Sequence, residues 1–525
     1  METFLDLRGV KLGQGLPKVI VPAAAPTLLG VLQAARAAVE SGADIVEWRA
    51  DLFLGVNDPG ALEAALFALR EALKKTPLLF TLRSKKQGGR FECGTDRETE
   101  ILLTAAKSGC ADLIDVEYGS SPTQTQMLIA KIRALGCEAL CSRHVPDFLP
   151  PRGELYALLC DMKAAGARAV KLAAGNLKEL FAACVRFQKE SPETVLIAMA
   201  PGENGVLSRL IGSAFGSAAA FASAQMKTDP GQLSAASTKT TIELFHRTYL
   251  EAQAAGLPAL LPDTAFFAFL GAPLTQALSP RMLNELFIKK GLPYFYFPIE
   301  TRKEELDTVI KGLRAASIKG FAVTKPYKTD IVKYLDELDA SVSCSGACNT
   351  AADRNGKWHG FNTDGIAGVE ALCREGGVKV EDETFLCIGA GGTARAMCFE
   401  LARRKAKLVY IFSRSESSFA LAEEFNKSFP NVFFALTASD ENYLATAPHC
   451  GVILNLSGCG MWPNVNDTPF PEDAFLPSHI CFDAVYSPSP TRFLSTAQKC
   501  GCRIVNGLTM LKRTVEMQLA IWTEN

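Results

Sequence analysis

The sequence predicts an α/β protein, with a (β/α)8 barrel in its first half and a second α/β region that ends in a Rossmann-type dinucleotide-binding unit. Three observations lead to this prediction. The chain has 525 residues, enough for about three or four domains. Its first half alternates short apolar runs with segments of helical period. Its second half contains a glycine-rich turn between an apolar run and a helix.

Eight strand-like runs between residues 18 and 223 predict the barrel. They are separated by about 25 to 35 residues, the spacing expected of a barrel of about 250 residues. Helical segments such as 60–75, 122–136 and 176–190 lie between them. An open doubly wound sheet is the alternative. The runs are Val19–Val21, Ile45–Arg49, Leu78–Arg83, Leu113–Glu117, Ala139–Ser142, Ala169–Leu172, Val195–Met199 and Ala218–Ala222.

Polar residues near the ends of these runs favour the barrel over the open sheet. Active sites of barrels form at the carboxyl ends of the strands. The sequence therefore predicts a site built from residues at those ends. They are Glu47, Arg49, Arg83, His144 and Lys171.

Lys171 and His144 indicate a particular chemistry. Their strands are consecutive and therefore neighbours in a barrel, so the two side chains can meet over its mouth. A lysine desolvated there, with Arg49, Arg83 and Arg209 nearby, has a lowered amine pKa and can attack a ketone to form a Schiff base. His144 can then remove the proton α to the imine carbon. Taken singly, a surface lysine and a hydrogen-bonded histidine also explain the two residues.

A change in composition divides the chain. Residues 251–265 contain two prolines and a glycine and interrupt the alternation, as linkers between domains do. A second βα series follows this boundary. Its strands are expected at Phe266–Leu270, Tyr294–Pro298 and Gly320–Val323, with helices near 281–290 and 303–315.

The glycine-rich turn opens the last unit. Gly389, Gly391 and Gly392 follow the apolar run Thr384–Ile388 and precede a helix. In that context glycines allow backbone N–H groups to approach a pyrophosphate at the helix N-terminus. A tight turn of an ordinary α/β domain is the alternative.

The next strand decides which dinucleotide is expected. Leu408–Phe412 is followed by Ser413 and Arg414, where an NAD enzyme places an acidic residue for the ribose hydroxyls. A guanidinium suits a 2′-phosphate. The sequence therefore predicts NADP(H) rather than NAD(H).

Composition and charge exclude several classes of protein. Lys+Arg 55 against Asp+Glu 56 leaves a net charge of -1, which gives no overall field for nucleic acid or an anionic membrane. Neither an apolar run of about 18 residues nor a signal peptide is evident, so a cytoplasmic location is expected. The 16 Cys and 5 His lack zinc-type spacing, so we expect buried, reduced thiols and no metal site.

Seven segments in order over residues 15–245 resemble the type I 3-dehydroquinate dehydratases. They are Asp44–Asp51, Leu79–Ser84, Leu113–Glu117, Ser142–His144, Val170–Lys171, Gly205–Arg209 and Pro230–Ser234. The resemblance implies that Lys171 is the Schiff-base lysine and that His144 is the general base and acid. Water would then be lost from 3-dehydroquinate to leave 3-dehydroshikimate. The residues it assigns to substrate binding are Glu47, Arg49, Arg83, Arg209, Thr228 and Gln232.

Segments over residues 266–523 are similar to those of the shikimate dehydrogenases. They are Gly271–Pro273, Leu278–Pro280, Val323–Lys328, Gly346–Thr350, Gly360–Gly365, Gly389–Ala396, Ser413–Ser415, Asp483–Tyr486 and Gly507–Leu511. The whole chain thus resembles the fused bifunctional enzyme of the shikimate pathway, which belongs to aromatic amino acid and chorismate biosynthesis.

This second resemblance implies a two-domain dehydrogenase that uses NADPH to reduce 3-dehydroshikimate to shikimate. Lys328 and Asp364 would be its catalytic pair, beside the C3 carbonyl. The residues it assigns to the substrate are Ser279, Thr324, Asn349 and Tyr486. Those it assigns to NADP(H) are Gly389, Ala390, Gly391, Gly392, Thr393, Ala394, Ser413, Arg414 and Gly507.

Five departures from the family patterns fall on substrate residues. Gln87 stands where the dehydratases usually have a glutamate beside the histidine; an amide can orient an imidazole but cannot stabilise an imidazolium as a carboxylate does. In the dehydrogenase half, Ala277 replaces a serine, Ala322 an asparagine and Thr514 a glutamine, with Gln276 in place of a histidine. The sequence predicts that these changes cluster at the substrate pocket.

Two alternatives to shikimate reduction remain open at this point. The second half could prefer quinate or a related cyclohexane carboxylate, or it could be a binding module without catalysis, although retention of Lys328 and Asp364 argues against the latter. We expect small-molecule partners and no nucleic acid. The expected domains are 1–250 (dehydratase barrel), 265–378 with 508–525 (substrate domain) and 379–507 (NADP-binding domain).

Overall fold

The computed structural model of the chain describes residues 4–92, 94–119, 121–145, 153–224 and 227–524. They form two compact units. The first comprises Met1–Thr264 and Glu300–Ser317, and the second comprises Ala265–Ile299 and Ile318–Asn525. The first unit therefore includes a segment that lies, in sequence, between two parts of the second.

Ten strands lie in the first unit, and their aliphatic and β-branched residues favour the extended conformation. Two of them form an antiparallel ribbon and eight form a parallel sheet. They are β1 Leu5–Leu7, β2 Val10–Leu12, β3 Lys18–Ala23, β4 Ile45–Arg49, β5 Leu78–Thr81, β6 Leu113–Glu117, β7 Glu138–Val145, β8 Ala169–Ala174, β9 Val195–Met199 and β10 Ala219–Phe221.

The eight-stranded sheet closes into the predicted barrel. Its strand order is β10-β3-β4-β5-β6-β7-β8-β9, and a parallel bridge from Leu196 to Ser217 joins β9 to the residue stretch before β10. The open doubly wound alternative is therefore wrong, because an open sheet would leave these two edges unpaired. Each predicted run coincides with one strand, so the prediction of a barrel is confirmed.

The β1–β2 ribbon fixes which end of the barrel is available for a site. Leu5, Leu7 and Leu12 are buried in one core cluster with inward-facing residues such as Ile45 and Leu113. Ile45 and Leu113 are the first residues of their strands. The ribbon therefore covers the amino-terminal end, and the polar residues lie at the opposite, carboxyl-terminal end.

Eight helices follow the strands of the first unit, and five of them begin at a Ser, Thr, Asp or Asn whose side chain accepts a hydrogen bond from the first turn. They are α1 Leu28–Glu40, α2 Pro59–Leu73, α3 Thr95–Lys107, α4 Pro122–Ala134, α5 Glu154–Ala164, α6 Leu177–Glu190, α7 Gly205–Ile211 and α8 Ala235–Ala254.

The expected break over 251–265 begins later than predicted. α8 continues through Ala254, because the Glu, Ala and Gln residues there are good helix formers. The chain leaves the helix near Gly256, whose φ of 103° favours glycine.

The second unit contains two six-stranded sheets. The first sheet has the order β12-β11-β13-β15-β16-β14, and the second is all parallel with the order β19-β18-β17-β20-β21-β22. The strands are β11 Ala265–Gly271, β12 Tyr294–Glu300, β13 Gly320–Val323, β14 Glu337–Leu338, β15 Thr350–Arg354, β16 Lys357–Phe361, β17 Thr384–Ile388, β18 Leu408–Ser413, β19 Phe433–Thr437, β20 Val452–Asn455, β21 Ile480–Asp483 and β22 Arg503–Asn506.

The order of the second sheet is that of a Rossmann fold, in which ligands bind where the strand order reverses. Here the reversal lies between β17 and β20, which confirms the predicted Rossmann unit. The remaining helices, of which α10 belongs to the first unit, are α9 Ser279–Lys289, α10 Leu306–Ala315, α11 Ala340–Ser345, α12 Asp364–Ala371, α13 Gly392–Arg403, α14 Ser417–Asn426, α15 Asp440–Thr446, α16 Arg492–Lys499 and α17 Gly507–Thr523.

The last helix, α17, returns from the Rossmann sheet to the first sheet of the unit. The indole N–H of Trp522 donates to the carbonyl of Ala351 in β15 at 3.0 Å. This places one face of α17 over the sheet that carries Thr324 and Asn349 near its strand ends.

Candidate active sites

Lys171 lies at the centre of the polar end of the barrel. It is 3% exposed, and its Nζ is 3.8 Å from Glu47 Oε1, 3.9 Å from Asp115 Oδ2 and 4.1 Å from the ring centroid of Phe221. Burial lowers the pKa of the Lys171 amine, and the two carboxylates offset that effect only in part. A lysine in these surroundings has more of the neutral amine, the form that attacks a carbonyl.

His144 stands on the neighbouring strand, as predicted. In the parallel pairing of β7 with β8, Ser142 is opposite Lys171 and His144 is opposite Ala173. Nε2 of His144 is buried without a hydrogen-bond partner among the residues that the structure describes. Burial lowers the pKa of His144 well below its ordinary value, and the neighbouring cations lower it further. The imidazole is therefore a neutral base.

Gln87 orients His144 through the main chain. Its Oε1 accepts a hydrogen bond from the backbone N–H of His144 at 2.8 Å, and the residue is 5% exposed. The Gln87 contact seen here is therefore with the main chain of His144. This N–H is available because β7 continues to Val145, whereas its pairing with β6 ends at Ser142.

Two of the predicted arginines are held by carboxylates. Arg49 donates to both oxygens of Asp51 at 2.8 and 2.9 Å. Arg83 is 2% exposed and forms ion pairs with Asp115 at 2.5 Å and Glu117 at 2.8 Å. Burial alone would lower the pKa of Arg83, but the two carboxylates outweigh it and the pKa is raised.

Asp115 and Glu117 are site residues that the sequence reasoning missed. Their side chains alternate along β6 on the same face as Leu113, which belongs to the barrel interior. The period of two residues along a strand was a signal that could have identified them. Their role is to fix the guanidinium of Arg83 and to balance its charge beside Lys171.

A second group of predicted residues lies past β9 and β10. Arg209 forms an ion pair with Asp229 at 3.1 Å and donates to the carbonyl of Ala200 at 3.2 Å. Gln232 accepts from the backbone N–H of Thr228 at 3.0 Å and donates to its hydroxyl at 2.9 Å. Nε of Arg209 is buried without a partner in the described ranges, so this guanidinium retains an unused donor.

Gly205 makes the position of Arg209 possible. A Cβ at Gly205 would lie 1.7 Å from Nη1 of Arg209. At Gly231, a Cβ would lie 2.2 Å from the carbonyl oxygen of Gly202. Neighbouring atoms thus approach both positions too closely for any residue but glycine. This explains why glycines occur in the segments Gly205–Arg209 and Pro230–Ser234.

The second unit contains a cavity of about 730 Å³ between its two sheets. It is lined by predicted residues from both halves of the unit. Those on the side of the first sheet are Ser279, Thr324, Lys328, Asn349 and Asp364, and those on the Rossmann side are Gly389, Ala390, Gly391, Gly392, Thr393, Tyr486 and Gly507. Sequence positions more than 200 apart therefore meet at one cavity.

Lys328 and Asp364 form the polar centre of this cavity. Nζ of Lys328 donates to Oδ2 of Asp364 and to the hydroxyl of Thr393 at 3.0 Å. Oδ1 of Asp364 accepts from Nδ2 of Asn349 at 2.8 Å. Asn349 is in turn held by Thr363, which accepts from its Nδ2 at 2.8 Å. The lysine is thus fixed by two acceptors while its side chain remains partly exposed to the cavity.

Three of the four departures in this half lie on the cavity wall. Ala277, with Gln276, and Thr514 line it. Ala322 does not line the cavity; it is 1% exposed and lies within β13. The expectation that all of these changes cluster at the substrate pocket is therefore wrong for Ala322. The cause is strand alternation, which directs the side chain of Ala322 away from the cavity that Val323 lines.

Gln518 also lines the cavity, and the sequence reasoning missed it. It lies one helical turn after Thr514 on α17 and is 4% exposed. Its Nε2 donates to the hydroxyl of Thr350 at 3.1 Å, while its Oε1 is buried without a partner in the described chain. Ser279 Oγ is likewise buried and unpartnered there. The spacing of four residues on a helix was the available signal.

The glycine-rich turn has the geometry of a dinucleotide cradle. Gly389 has a φ of 119°, which favours glycine, and Gly391 is followed by the N-terminus of α13 with nothing within 4 Å of a Cβ placed on it. The N–H groups of a first helical turn have no partner within the helix, and Gly391, Gly392 and Thr393 line the cavity here. Ala394 is buried in the same turn. These features fit a pyrophosphate.

Gly392 also lies close to Lys328. A Cβ there would lie 2.8 Å from Cβ of Lys328. Likewise, a Cβ at Gly507 would lie 2.6 Å from the carbonyl oxygen of Asp483. Gly392 and Gly507 were both predicted as cofactor contacts. Packing around the cavity also requires glycine at these two positions.

Arg414 and Ser413 lie at the end of β18, away from the cavity wall. Arg414 is exposed. The hydroxyl of Ser413 accepts from the backbone N–H of Ser418 at 3.2 Å and so ties down the loop before α14. The loop that carries Arg414 is therefore held at the carboxyl end of β18, which is the strand that follows the glycine-rich turn.

The other sequence expectations concern metals, thiols and membranes. Within the described ranges, no group of three or more potential metal ligands is found, and no helix has the length and hydropathy to cross a bilayer. Ten of the fifteen described cysteines are buried and each is free of a disulfide; Cys93 lies outside the described residues.

Comparison with known proteins gives matches for both halves. Residues 19–249 match the model of type I 3-dehydroquinase, and residues 269–351 match that of the shikimate dehydrogenase substrate binding domain. The chain is 33% identical to a shikimate dehydrogenase (NADP(+)) of Alkaliphilus oremlandii over 265 residues, 50% of this chain and 92% of the relative.

Two further matches cover more or other parts of the chain. A bifunctional 3-dehydroquinate dehydratase/shikimate dehydrogenase, chloroplastic, of Arabidopsis thaliana is 28% identical over 506 residues, 92% of this chain and 78% of that protein. The crystal structure of a type I 3-dehydroquinate dehydratase from Clostridium difficile is 29% identical, with a TM-score of 0.46, covering 47% of this chain and 100% of that one.

Proposed function

Because the chain belongs to the type I 3-dehydroquinases in its first half and to the shikimate dehydrogenases in its second, we propose that it catalyses two successive reactions. The first is dehydration of 3-dehydroquinate to 3-dehydroshikimate, and the second is NADPH-dependent reduction of that product to shikimate. The observation that carries the proposal is the buried Lys171 beside a neutral His144 in one unit, together with the Lys328–Asp364 pair in the other.

The first reaction begins at the Lys171 amine. Burial favours its neutral form, which attacks the ketone carbon of 3-dehydroquinate, and the ketone oxygen leaves as water to give an iminium. His144 removes a proton α to the iminium carbon and then returns it to the departing hydroxyl, which leaves as water. Hydrolysis of the imine consumes one water and frees Lys171, so one water is lost overall.

The charged residues around Lys171 hold the substrate in this scheme. Arg209 has an unused Nε donor, and Gln232 and Thr228 lie on the loop that its partner Asp229 fixes. A guanidinium binds a carboxylate with charge-assisted hydrogen bonds. We therefore assign the carboxylate to Arg209 and the ring hydroxyls to Glu47, Arg49 and Arg83.

The second reaction requires a proton donor beside a carbonyl. Lys328, held by Asp364 and Thr393, donates a proton to the C3 oxygen of 3-dehydroshikimate, and Asp364 keeps the ammonium in place. Asn349 and Thr324 bind ring hydroxyls, while Ser279 and Tyr486 face the carboxylate. NADPH, when bound, supplies the hydride that the carbonyl carbon accepts.

The residues present fit that cofactor. The turn of Gly389, Ala390, Gly391 and Gly392 with the N-terminus of α13 suits a pyrophosphate, and the exposed Arg414 suits a 2′-phosphate. Thr393, Ala394, Ser413 and Gly507 complete the proposed site.

The domain boundaries and the location are further parts of the proposal. We assign 1–250 to the dehydratase, 265–378 with 508–525 to the substrate domain and 379–507 to the NADP-binding domain. The contact of Trp522 with Ala351 supports the second assignment, although Glu300–Ser317, within 265–378, packs in the compact unit of the barrel. A cytoplasmic location is proposed, although the relative from Arabidopsis thaliana is named chloroplastic.

Two assays test the proposed function. The purified chain is mixed with 3-dehydroquinate alone, and formation of the conjugated product is followed by ultraviolet absorbance. Separately, 3-dehydroshikimate and NADPH are mixed with the chain, and absorbance is followed at the nicotinamide band. We expect turnover in both; failure of either assay would refute that half of the proposal.

We expect the acid limb of the pH profile of dehydration to lie below pH 6.5, the ordinary histidine pKa. Since the pKa of His144 is lowered, the imidazole stays neutral as the pH falls through 6.5, and the base is lost only below that. The measurement is kcat as a function of pH. Gln87→Glu adds a carboxylate near His144, which should raise its pKa and move the limb upward. A wild-type limb above pH 6.5 would contradict a neutral base.

We expect kcat/KM for NADPH to exceed that for NADH by about tenfold or more, because one charge-assisted phosphate contact supplies about 1.4 kcal/mol. Arg414→Ala should lower kcat/KM for NADPH and leave that for NADH nearly unchanged. Steady-state kinetics with both cofactors measure this. An equal loss with both would show that Arg414 is structural.

A preference for quinate is the second candidate function, and Ala277 and Thr514 on the cavity wall favour it because they are smaller than the residues usual there. We nevertheless expect oxidation with NADP to favour shikimate, since Lys328, Asp364, Asn349 and Thr324 remain in place. Ala277→Ser with Thr514→Gln should lower KM for shikimate with little change in kcat. A wild-type preference for quinate, or loss of shikimate oxidation in the double variant, would instead establish the second candidate.

A further inference from the structure

We propose that the segment Glu300–Ser317 is part of the dehydratase site, and that Glu305 positions the substrate-binding loop of that site. The inference rests on the dehydratase activity proposed above. It concerns residues outside the 3-dehydroquinase match, which ends at residue 249, and inside the shikimate dehydrogenase match, which covers 269–351. This segment nevertheless packs within the compact unit that contains the barrel.

Glu305 fixes the start of α8. It is 6% exposed; its Oε1 accepts from the backbone N–H of Ser234 at 2.5 Å, and its Oε2 accepts from the hydroxyl of Ser237 at 2.5 Å. Ser234 is the N-cap residue of that helix, and its own hydroxyl oxygen accepts from the N–H of Ser237 at 3.2 Å. A carboxylate at a helix N-terminus is stabilised by the helix dipole as well as by these two bonds.

The loop just before this helix carries the proposed substrate residues. Gln232 lies two positions before Ser234 and is bonded to Thr228. Asp229, in the same loop, forms the ion pair with Arg209 at 3.1 Å. Holding Ser234 therefore holds the end of the loop that sets the position of Gln232 and, through Asp229, that of the guanidinium.

A second contact of the segment reaches the helix that carries Arg209. α10 approaches α7 so closely that a Cβ on Gly312 would lie 2.5 Å from Cβ of Val206. Val206 is fully buried and lies three residues before Arg209 on α7. The glycine is thus required by the approach of α10 to the arginine-bearing helix.

A third contact lies beside the loop itself. Nζ of Lys227 donates to the hydroxyl of Thr308 at 2.9 Å, next to Thr228. The segment therefore contacts the loop at both ends and α7 at its first turn. These are the elements that carry Thr228, Gln232 and Arg209, whereas Lys171 and His144 stand on barrel strands. Disturbing the segment should affect substrate binding more than the chemical steps.

The test uses the full chain, in which the dehydrogenase reaction is an internal control for folding. Glu305→Ala should raise KM for 3-dehydroquinate by about tenfold and change kcat by less than about twofold, because the loop that binds substrate is loosened while the lysine and histidine are not. KM for 3-dehydroshikimate and NADPH should not change. Glu304→Ala, at the exposed neighbouring position, is the matched control and should leave dehydration unchanged.

A second pair of variants tests the approach of α10 to α7. Gly312→Ala should raise KM for 3-dehydroquinate even though alanine is the better helix former, and Val206→Ala in the same chain should restore it by removing the clash. Glu305→Gln, which keeps one acceptor, should lie between wild type and Glu305→Ala.

The outcomes separate this inference from the proposed function. A wild-type chain that does not dehydrate 3-dehydroquinate refutes the function itself. A wild-type chain that does, with KM unchanged in Glu305→Ala and in Gly312→Ala, overturns the inference alone. Equal losses in kcat for both reactions would also overturn it, because they would show a general loss of folded protein.

Discussion

Lys171→Ala is expected to lower kcat for dehydration of 3-dehydroquinate by about 10⁴-fold or more, since the covalent intermediate and its oriented neighbours are lost together. No other lysine among the described residues is placed with Glu47 and Asp115 at the polar end of the barrel. Reduction of 3-dehydroshikimate by the same chain should be unaffected. Dehydration and reduction are measured separately on one preparation.

Trapping the imine tests the same residue directly. Borohydride added with 3-dehydroquinate should attach a substrate-derived mass to the Lys171 peptide, and none should appear in Lys171→Ala. His144→Ala should still form the adduct but turn over slowly, because proton removal follows imine formation. Lys163→Ala, on a partly exposed lysine paired with Glu193, is the control and should behave as wild type. An adduct on another lysine would refute the assignment.

Lys328→Ala is expected to lower kcat for reduction of 3-dehydroshikimate by about 10² to 10⁴-fold, the range for loss of a positioned proton donor. KM for NADPH should change little, since the glycine turn and Arg414 are untouched. Asp364→Asn should also lower kcat, because it removes the charge that holds Nζ of Lys328. The measurement is the steady-state rate at the nicotinamide band.

Lys325 provides a matched control for this lysine. It also lines the cavity, but its Nζ contacts Sδ of Met461 at 3.0 Å rather than Asp364. Lys325→Ala should therefore lower kcat by less than about tenfold. If Lys328→Ala retained wild-type kcat, Lys328 would not be the proton donor of the reduction.

Much of the fold followed from local pattern. Each barrel strand appears as a short apolar run, and several of these runs have a polar residue at the end, as in Ile45–Arg49. The glycine-rich turn before α13 likewise indicates the Rossmann unit. Both signals are local: a short apolar run for each strand, and a turn in which the φ of Gly389 favours glycine. Such signals can be read without knowing the tertiary structure.

The features that the sequence did not predict are long-range. Nothing near Glu305 in the sequence indicates that its carboxylate ends at the start of a helix about 70 residues earlier, at Ser234. Gln87 has a side chain capable of reaching an imidazole, yet a backbone N–H is its partner. Ala322 lies one residue from the pocket-lining Val323, but strand alternation directs it elsewhere. Each depends on packing between distant elements.

The most direct test is conversion of 3-dehydroquinate to shikimate by the purified chain, with NADPH as the only other reactant. We predict that the wild-type chain loses nicotinamide absorbance in proportion to the shikimate formed. Lys171→Ala should show no such loss from 3-dehydroquinate. When 3-dehydroshikimate is added to that variant, the absorbance should fall as it does with the wild-type chain. Shikimate formed from 3-dehydroquinate by Lys171→Ala at the wild-type rate, or none formed by the wild-type chain from either substrate, would contradict two active sites acting in sequence.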